Sequence, residues 1–256
     1  REALCEVATV PAVDSTGRLD LEAMEQIASR AEYKGRPLYG SFSAASNVTG
    51  LLSPVHEIAQ IIHRHGGKCF FDYAACAPYV RIDMNPSHLP DDARLDAVFY
   101  SPHKYLGGPG SCGVLVLNDG VYNAELAPTV AGGGTVSYVD PYSHWFSTDV
   151  ETRERPGTPG IFQTIRTALV ESIKLKLTPE AIIAREESLL DTALSRWLDH
   201  PRILIYGDPN PKNRIAIVSF NILVDDELEF MQRSSEQKRG SECGAEGKRA
   251  SECNNG

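Results

Sequence analysis

The sequence lacks several features that would assign it a class directly. It has no run of roughly 18 to 20 apolar residues, so no segment reads as a membrane-spanning helix. Its cysteines stand at 5, 69, 76, 112, 243 and 253, and no two of them form a CxxC pair. That spacing offers neither a zinc site nor a thioredoxin-like motif. It suits reduced thiols in an intracellular protein better than a disulfide framework. Positive charge is short as well: Lys and Arg number 25 against 34 Asp and Glu, for a net charge of -9. A general nucleic-acid binder needs a basic face to neutralise phosphates, so this balance argues against one. The chain opens on Arg1, not Met, inside a patterned stretch, and is read as a fragment. The expected location is the cytoplasm or an organellar matrix.

What is present is a 256-residue chain, 42% hydrophobic and 23% charged. This is the composition of a globular protein with one large domain or two small ones. Residues 5–32 read as strand, turn and helix, with Asp20 capping a helix from Leu21. "RPLYGSFSAASNVTG" is a short strand ending in a polar loop, and Ser53-Pro54 opens a helix that stops near Gly66-Gly67. "KCFFDYA", "LDAVFY" and "GVLVLN" are three more short apolar strands. Strands alternating with amphipathic helices predict an α/β domain with a largely parallel sheet. Ligands bind such domains at the carboxyl ends of the strands, which is where Asn47, Asp72 and Lys104 fall.

The chain becomes loop-rich after residue 120. Two helices follow, "GIFQTIRTALVESIKLKL" and "PEAIIAREESLLDTALSRWLD", and then a last strand, "NRIAIVSFNILV". The end is charged and glycine-rich and repeats KR(G/A)SEC at 238–243 and 248–253. Its lack of apolar residues predicts a disordered, compositionally biased tail rather than a metal-binding repeat.

"SPHKYLGGPGSCGVLVL", residues 101–117, raises a phosphate question. A Walker loop places its lysine after the glycines and opens a helix. Here Lys104 precedes the glycines and a strand follows them, which rejects both that loop and the Rossmann fingerprint. A lysine in a strand-end turn instead suits a nucleophile or Schiff-base former. Pyridoxal phosphate (PLP) chemistry asks a protein for such a lysine, an acid on the pyridinium nitrogen, and donors for the phosphate. Asp72 ends an apolar strand, where an unpaired carboxylate is costly and a cationic ring nitrogen is a matched partner. Asp72 and Lys104 lie 32 residues apart, enough for one crossover and a return strand.

On these residues the sequence resembles the class V aminotransferases of the fold-type I PLP enzymes, and within them the cysteine desulfurase and selenocysteine lyase group. The resembling stretches are "SNVTG" (46–50), "FFDYAACAPY" (70–79), "SPHKYLGGPGSCGVLVL" (101–117), "GGGTVSYV" (132–139) and "RPGTPGIFQTIRTAL" (155–169). They come in the family's order and span roughly residues 5 to 222. The resemblance implies that Lys104 forms the internal aldimine and shuttles protons at the substrate α-carbon. It implies that Asp72 binds the pyridinium nitrogen, Asn47 the ring's 3-oxygen, and Ser101 and His103 the phosphate. Thr135 would reach the phosphate of a neighbouring subunit, making the working unit a homodimer. Two positions depart from the family pattern: Tyr73 replaces a glycine, and Ala75 replaces a glutamine that touches the 3-oxygen. No residue set for a substrate-carboxylate arginine or a sulfur-acceptor loop is matched.

The implied fold is therefore a fold-type I large domain with a mostly parallel sheet flanked by helices, plus the start of a small C-terminal α/β domain. The expected division is 1–160 for an N-terminally incomplete PLP-binding domain, 161–226 for connecting helices and an incomplete second domain, and 227–256 for the tail. The implied activity is that of a cysteine desulfurase or selenocysteine lyase acting on an amino acid. A class V transaminase, a catalytically incomplete remnant, and a carbonyl scavenger using Lys104 are the alternatives. Cys76 and Cys112 read as small buried thiols. His63 and His65 read as residues placed favourably near a helix C-terminus, with no spacing that supports a metal. Tyr138, Tyr142, Trp145 and Phe146 read as either a substrate mouth or an aromatic cluster under a loop.

Overall fold

The computed structural model of the protein describes residues 5–13, 15–118 and 120–227, and the repeats at 238–253 lie outside them. Helix α1 (Leu21–Ala28) starts where the sequence predicts, with Asp20 Oδ1 accepting from the Ala23 N–H at 2.9 Å. Strand β1 (Tyr39–Ser43) is followed by helix α2 (Val55–Arg64). Pro54 sits at the N-cap of α2, and Ser53 does not cap it, because its hydroxyl donates to the Ser43 carbonyl instead. Gly66, at φ 73°, ends the helical segment in the left-handed region that glycine enters freely.

Strands β2 (Lys68–Asp72), β3 (Ala97–Tyr100) and β4 (Val114–Leu117) complete a four-stranded sheet in the order β1-β2-β3-β4. The β1–β2 and β2–β3 pairs are parallel and β3–β4 is antiparallel. The sheet is therefore mostly parallel, as the alternating pattern predicts. The antiparallel step arises because β4 returns directly through the Lys104 turn, with no helical crossover. Ile58, Ala59, Ile61 and Ile62 form the buried stripe of α2. They join Met24, Cys69, Phe71 and Val98 in one core. Burying each isoleucine contributes roughly 1.5–3 kcal/mol, so this stripe fixes α2 on the sheet.

Beyond the sheet the chain forms a hairpin of β5 (Val136–Val139) and β6 (His144–Phe146), a short helix α3 (Val150–Arg153), and the long helices α4 (Ile161–Leu177) and α5 (Pro179–Trp197). Strands β7 (Ile203–Ile205) and β8 (Phe220–Ile222) form a separate antiparallel pair. Helix α4 buries Val170 and Lys174 and turns Phe162 (83% exposed) and Leu169 (59%) outward.

Three further sequence expectations are corrected. Residues 5–13 form no strand, only an isolated bridge between Ala12 and Leu19, since no neighbouring strand supplies a ladder. The last strand shrinks to Phe220–Ile222, because Arg214 and Ile215 are drawn into the core beside the loop after β1. The loop-rich stretch after residue 120 contains the β5–β6 hairpin, whose alternation is hidden by a register shift between Val136 and Tyr138.

Candidate active site at the strand ends

Asp72 is the last residue of β2, in register with Ser43 on one side and Phe99 on the other. Parallel strands bring their carboxyl ends to one edge, so the loops after β1, β2 and β3 leave the sheet together. Asp72 Oδ1 accepts from the Ala74 N–H at 2.7 Å, while Oδ2 makes no hydrogen bond among the described residues. The chain then coils through a turn in which Cys76 and Ala77 donate to the Tyr73 carbonyl.

Lys104 lies on the turn after β3. A single 3-10 turn, Pro102–Lys104, is closed by the Lys104 N–H on the Ser101 carbonyl and the Tyr105 N–H on the Pro102 carbonyl. Pro102 and Tyr105 are buried and anchor the turn, while His103 and Lys104 are exposed. Gly108 explains part of the glycine content here, because a Cβ at that position would lie 2.0 Å from the Pro102 carbonyl oxygen. A cleft of about 360 Å³ opens beside this turn, lined by Asp72, Ala74, Tyr100, Ser101, Gly113 and Leu115. The structure thus joins Asp72 and Ser101 in one cleft, with His103 and Lys104 two and three residues past Ser101.

Asn47 is exposed in the loop after β1 and lines a neighbouring hollow of about 260 Å³ with Ser43 and Ser46. Thr135 lines neither hollow. It is fully buried, and its hydroxyl donates to the Gly132 carbonyl at 2.7 Å and accepts from the Gly132 N–H at 3.2 Å.

Other polar residues hold the site, and the sequence did not single them out. On α4, Thr167 Oγ1 accepts from the Cys112 N–H at 3.1 Å, and Arg166 donates to the Pro109 carbonyl. Lys174 reaches the turn after Asp72. Arg214 is 1% exposed, and its guanidinium donates to the carbonyls of Asp208, Thr49 and Ile217, tying the loop after β1 to the C-terminal segment. The signal for Lys174 and Arg214 was a cation placed in line with apolar neighbours, a pattern easily taken for a solvated face. Burial pushes the Tyr100 and Tyr105 phenols up, with Glu171 adding to the effect, so both stay neutral.

His63 is not only a helix-end residue. It meets Asp96 and Cys69 in a buried cluster that no spacing reveals, since the three come from α2, the approach to β3, and β2. Asp96 Oδ2 accepts from the Cys69 N–H at 2.8 Å, from His63 Nε2 at 2.7 Å and from the Cys69 thiol at 3.5 Å. Burial pushes that thiol up to about 12, which keeps its proton. The three groups satisfy one another and act as a tie between helix and sheet.

The fold is an α/β domain in which Asp72 and Ser101 share a cleft at the strand ends. The chain belongs to the class-V aminotransferases: the family model matches residues 4–234. It is 31% identical to a probable cysteine desulfurase of Halobacterium salinarum over 219 residues, covering 85% of this chain and 48% of that protein. It is 28% identical to a cysteine desulfurase of Escherichia coli, again over 85% of this chain and 49% of the relative. Among solved structures it resembles the apo cysteine desulfurase of Thermococcus onnurineus, with a TM-score of 0.67 and 25% identity over 83% of this chain and 49% of that one. The chain therefore spans about half the length of these relatives. The mostly parallel sheet flanked by helices is the fold-type I architecture. No helix among the described residues is long and apolar enough to cross a membrane.

Proposed function

We propose that this chain carries the cofactor site of a PLP-dependent enzyme that acts on an amino acid in the manner of a cysteine desulfurase. The observation that carries this reading is the cleft shared by Asp72 and Ser101, with Lys104 on the same turn. The donor set fits the cofactor. Asp72 keeps one carboxylate oxygen without a hydrogen bond among the described residues, Lys104 offers an exposed amine, and Ser101 and His103 offer hydrogen bonds beside it. PLP, when bound, supplies a conjugated cationic ring that accepts electrons released at the substrate α-carbon.

The chain's own residues do the rest. Asp72 would hold the cationic ring nitrogen, because a carboxylate in a half-buried strand end favours a cation beside it. Ser101 and His103 would bind the phosphate, and Asn47 would donate to the ring's oxygen. Lys104 would be the residue that holds the cofactor, and its amine would be the base that moves a proton at the substrate α-carbon. Thr135 would serve a partner subunit's phosphate in a homodimer after its hydroxyl leaves Gly132. In this reading residues 1–160 form the N-terminally incomplete cofactor domain, and 161–226 supply the connecting helices and the incomplete second domain. Cysteine is the substrate favoured by the relatives' names, with selenocysteine and transamination of another amino acid as variants of the same chemistry.

A second reading, a remnant that keeps the fold without turnover, is favoured by Ala75 in place of the family's glutamine. The two are separated by adding PLP to the purified chain and following its long-wavelength absorption, then reducing with borohydride and mapping the labelled peptide. The expected result is a band and a label at Lys104, both lost in Lys104→Ala. No band in the wild-type chain overturns cofactor binding. A band with no sulfide release from cysteine favours the remnant.

A further inference from the structure

Helix α4 buries two residues, Val170 and Lys174, one turn apart. A valine there needs no explanation, but a lysine only 8% exposed does. Removing an ammonium from water is costly unless its donors are met. Lys174 Nζ donates to the carbonyl of Ala77 at 2.6 Å and to that of Val80 at 2.8 Å. It also stands 5.4 Å from the centroid of the Tyr105 ring. Burial lowers its pKa, with Glu171 opposing that effect. A methionine would fill the same space at no such cost. What it would lack is the link between two segments far apart in sequence.

Those two segments carry the candidate cofactor residues. Ala77 and Val80 belong to the turn that begins directly after Asp72. Tyr105 directly follows Lys104 and stacks on Tyr100, with ring centroids 6.1 Å apart and planes at 17°. Tyr100 lines the cleft with Asp72 and Ser101. The other α4 contacts, Thr167 with Cys112 and Arg166 with Pro109, grip the Lys104 side alone. Lys174 touches both sides.

We propose that Lys174 is a positioning residue that sets the placement of the Asp72 turn against the Lys104 turn, and so the geometry in which PLP is held. This role rests on the PLP reading above. It makes no contact with the substrate, and its effect passes through the Ala77–Val80 turn and the Tyr105–Tyr100 stack. Small misplacements of a binding constellation are expensive, about a hundredfold for 1 Å in reacting systems. The expected loss of PLP affinity in Lys174→Met is therefore about tenfold to a hundredfold.

The test compares wild type, Lys174→Met and Lys174→Gln by three measurements on the whole chain. These are PLP titration by absorbance, the pH midpoint of the bound cofactor's absorption band, and the thermal midpoint of the apo form. The expected result is weaker PLP binding and a displaced pH midpoint in Lys174→Met, at temperatures where its apo form is still folded. If Lys174→Met does not fold, Lys174→Gln, which keeps an uncharged NH2 donor group, is judged by the same criteria. A variant that loses thermal stability but keeps wild-type PLP affinity and pH midpoint overturns the role and leaves Lys174 as a structural residue. A wild-type chain with no Lys104-dependent band overturns the PLP reading, and this role with it.

Discussion

His63 and Asp96 face each other in the core with Nε2 and Oδ2 2.7 Å apart, while His63 Nδ1 lies 2.6 Å from the Asp92 carbonyl. Asp96 Oδ2 also accepts from the Cys69 N–H at 2.8 Å, so one carboxylate oxygen serves both the ring and the strand. Asp96→Ala would leave both the ring and the Cys69 N–H without their acceptor. The expected loss is about 3–5 kcal/mol, read from urea unfolding.

The same pair sets an acid limit. Burial raises the Asp96 pKa, but the Cys69 N–H and His63 outweigh it, and the net shift is downward. A depressed folded pKa gives stability that is full above the unfolded value and lost as pH falls through the folded one. The urea midpoint of wild type should therefore fall below about pH 4. In Asp96→Asn that acid limb should be shallower, and equal slopes in the two proteins would contradict the assignment.

Gly108→Ala tests the turn itself. The added Cβ would sit 2.0 Å from the Pro102 carbonyl oxygen and 2.9 Å from that of Tyr105, so the backbone must move. Overpacking of this kind costs about 1–3 kcal/mol. We expect a lower thermal midpoint and a loss of PLP binding, since Lys104 lies between Pro102 and Tyr105. Unchanged binding would show that the turn does not set the site.

Thr178 ends α4 and caps α5, with φ 63° and its hydroxyl accepting from the Ala181 N–H. A non-glycine residue at such a dihedral costs about 1–3 kcal/mol. Replacing the cap with glycine loses a few tenths, and added unfolded-state freedom removes roughly 0.5–1 kcal/mol more. Thr178→Gly should then equal or exceed wild type in stability, by about 1 kcal/mol. Thr178→Ala keeps the strain, loses the cap, and should fall about 1 kcal/mol below wild type in the same denaturant series.

Thiol labelling separates the cysteines. Cys69 and Cys76 are fully buried, and burial pushes both thiols up to about 12. Cys5 is exposed and Cys112 half-buried. Among the described cysteines, maleimide followed by peptide mapping should mark Cys5 first, and Cys69 and Cys76 only after denaturation. Early labelling of Cys76 would mean that the turn after Asp72 opens in the native protein.

The sheet was legible because its strands are short, apolar and bounded by turn residues. "KCFFD" and "DAVFY" yielded β2 and β3, and the direction of β4 needed only a connection too short for a crossover. The strand-end places of Asp72 and Lys104 were legible for the same reason, since strand ends in a parallel sheet converge, whereas Ser101 came only from the family resemblance. The rest depended on contacts across long separations. Nothing near Lys174 in the chain announces Ala77 or Val80, and nothing near His63 announces Asp96. The strand expected at the start of residues 5–32 failed because apolar residues make a strand only where a neighbour supplies a ladder.

Strand β4 is the outer strand of its sheet among the described residues, and its sequence, VLVL, contains no proline or charge. Leu115 is 62% exposed and Val116 40%. A strand edge of that kind is a template for another strand, so concentration becomes a variable of the molecule's own state. The net charge of -9 opposes that encounter, and dissolved salt weakens the opposition. Added salt should therefore favour pairing along that edge.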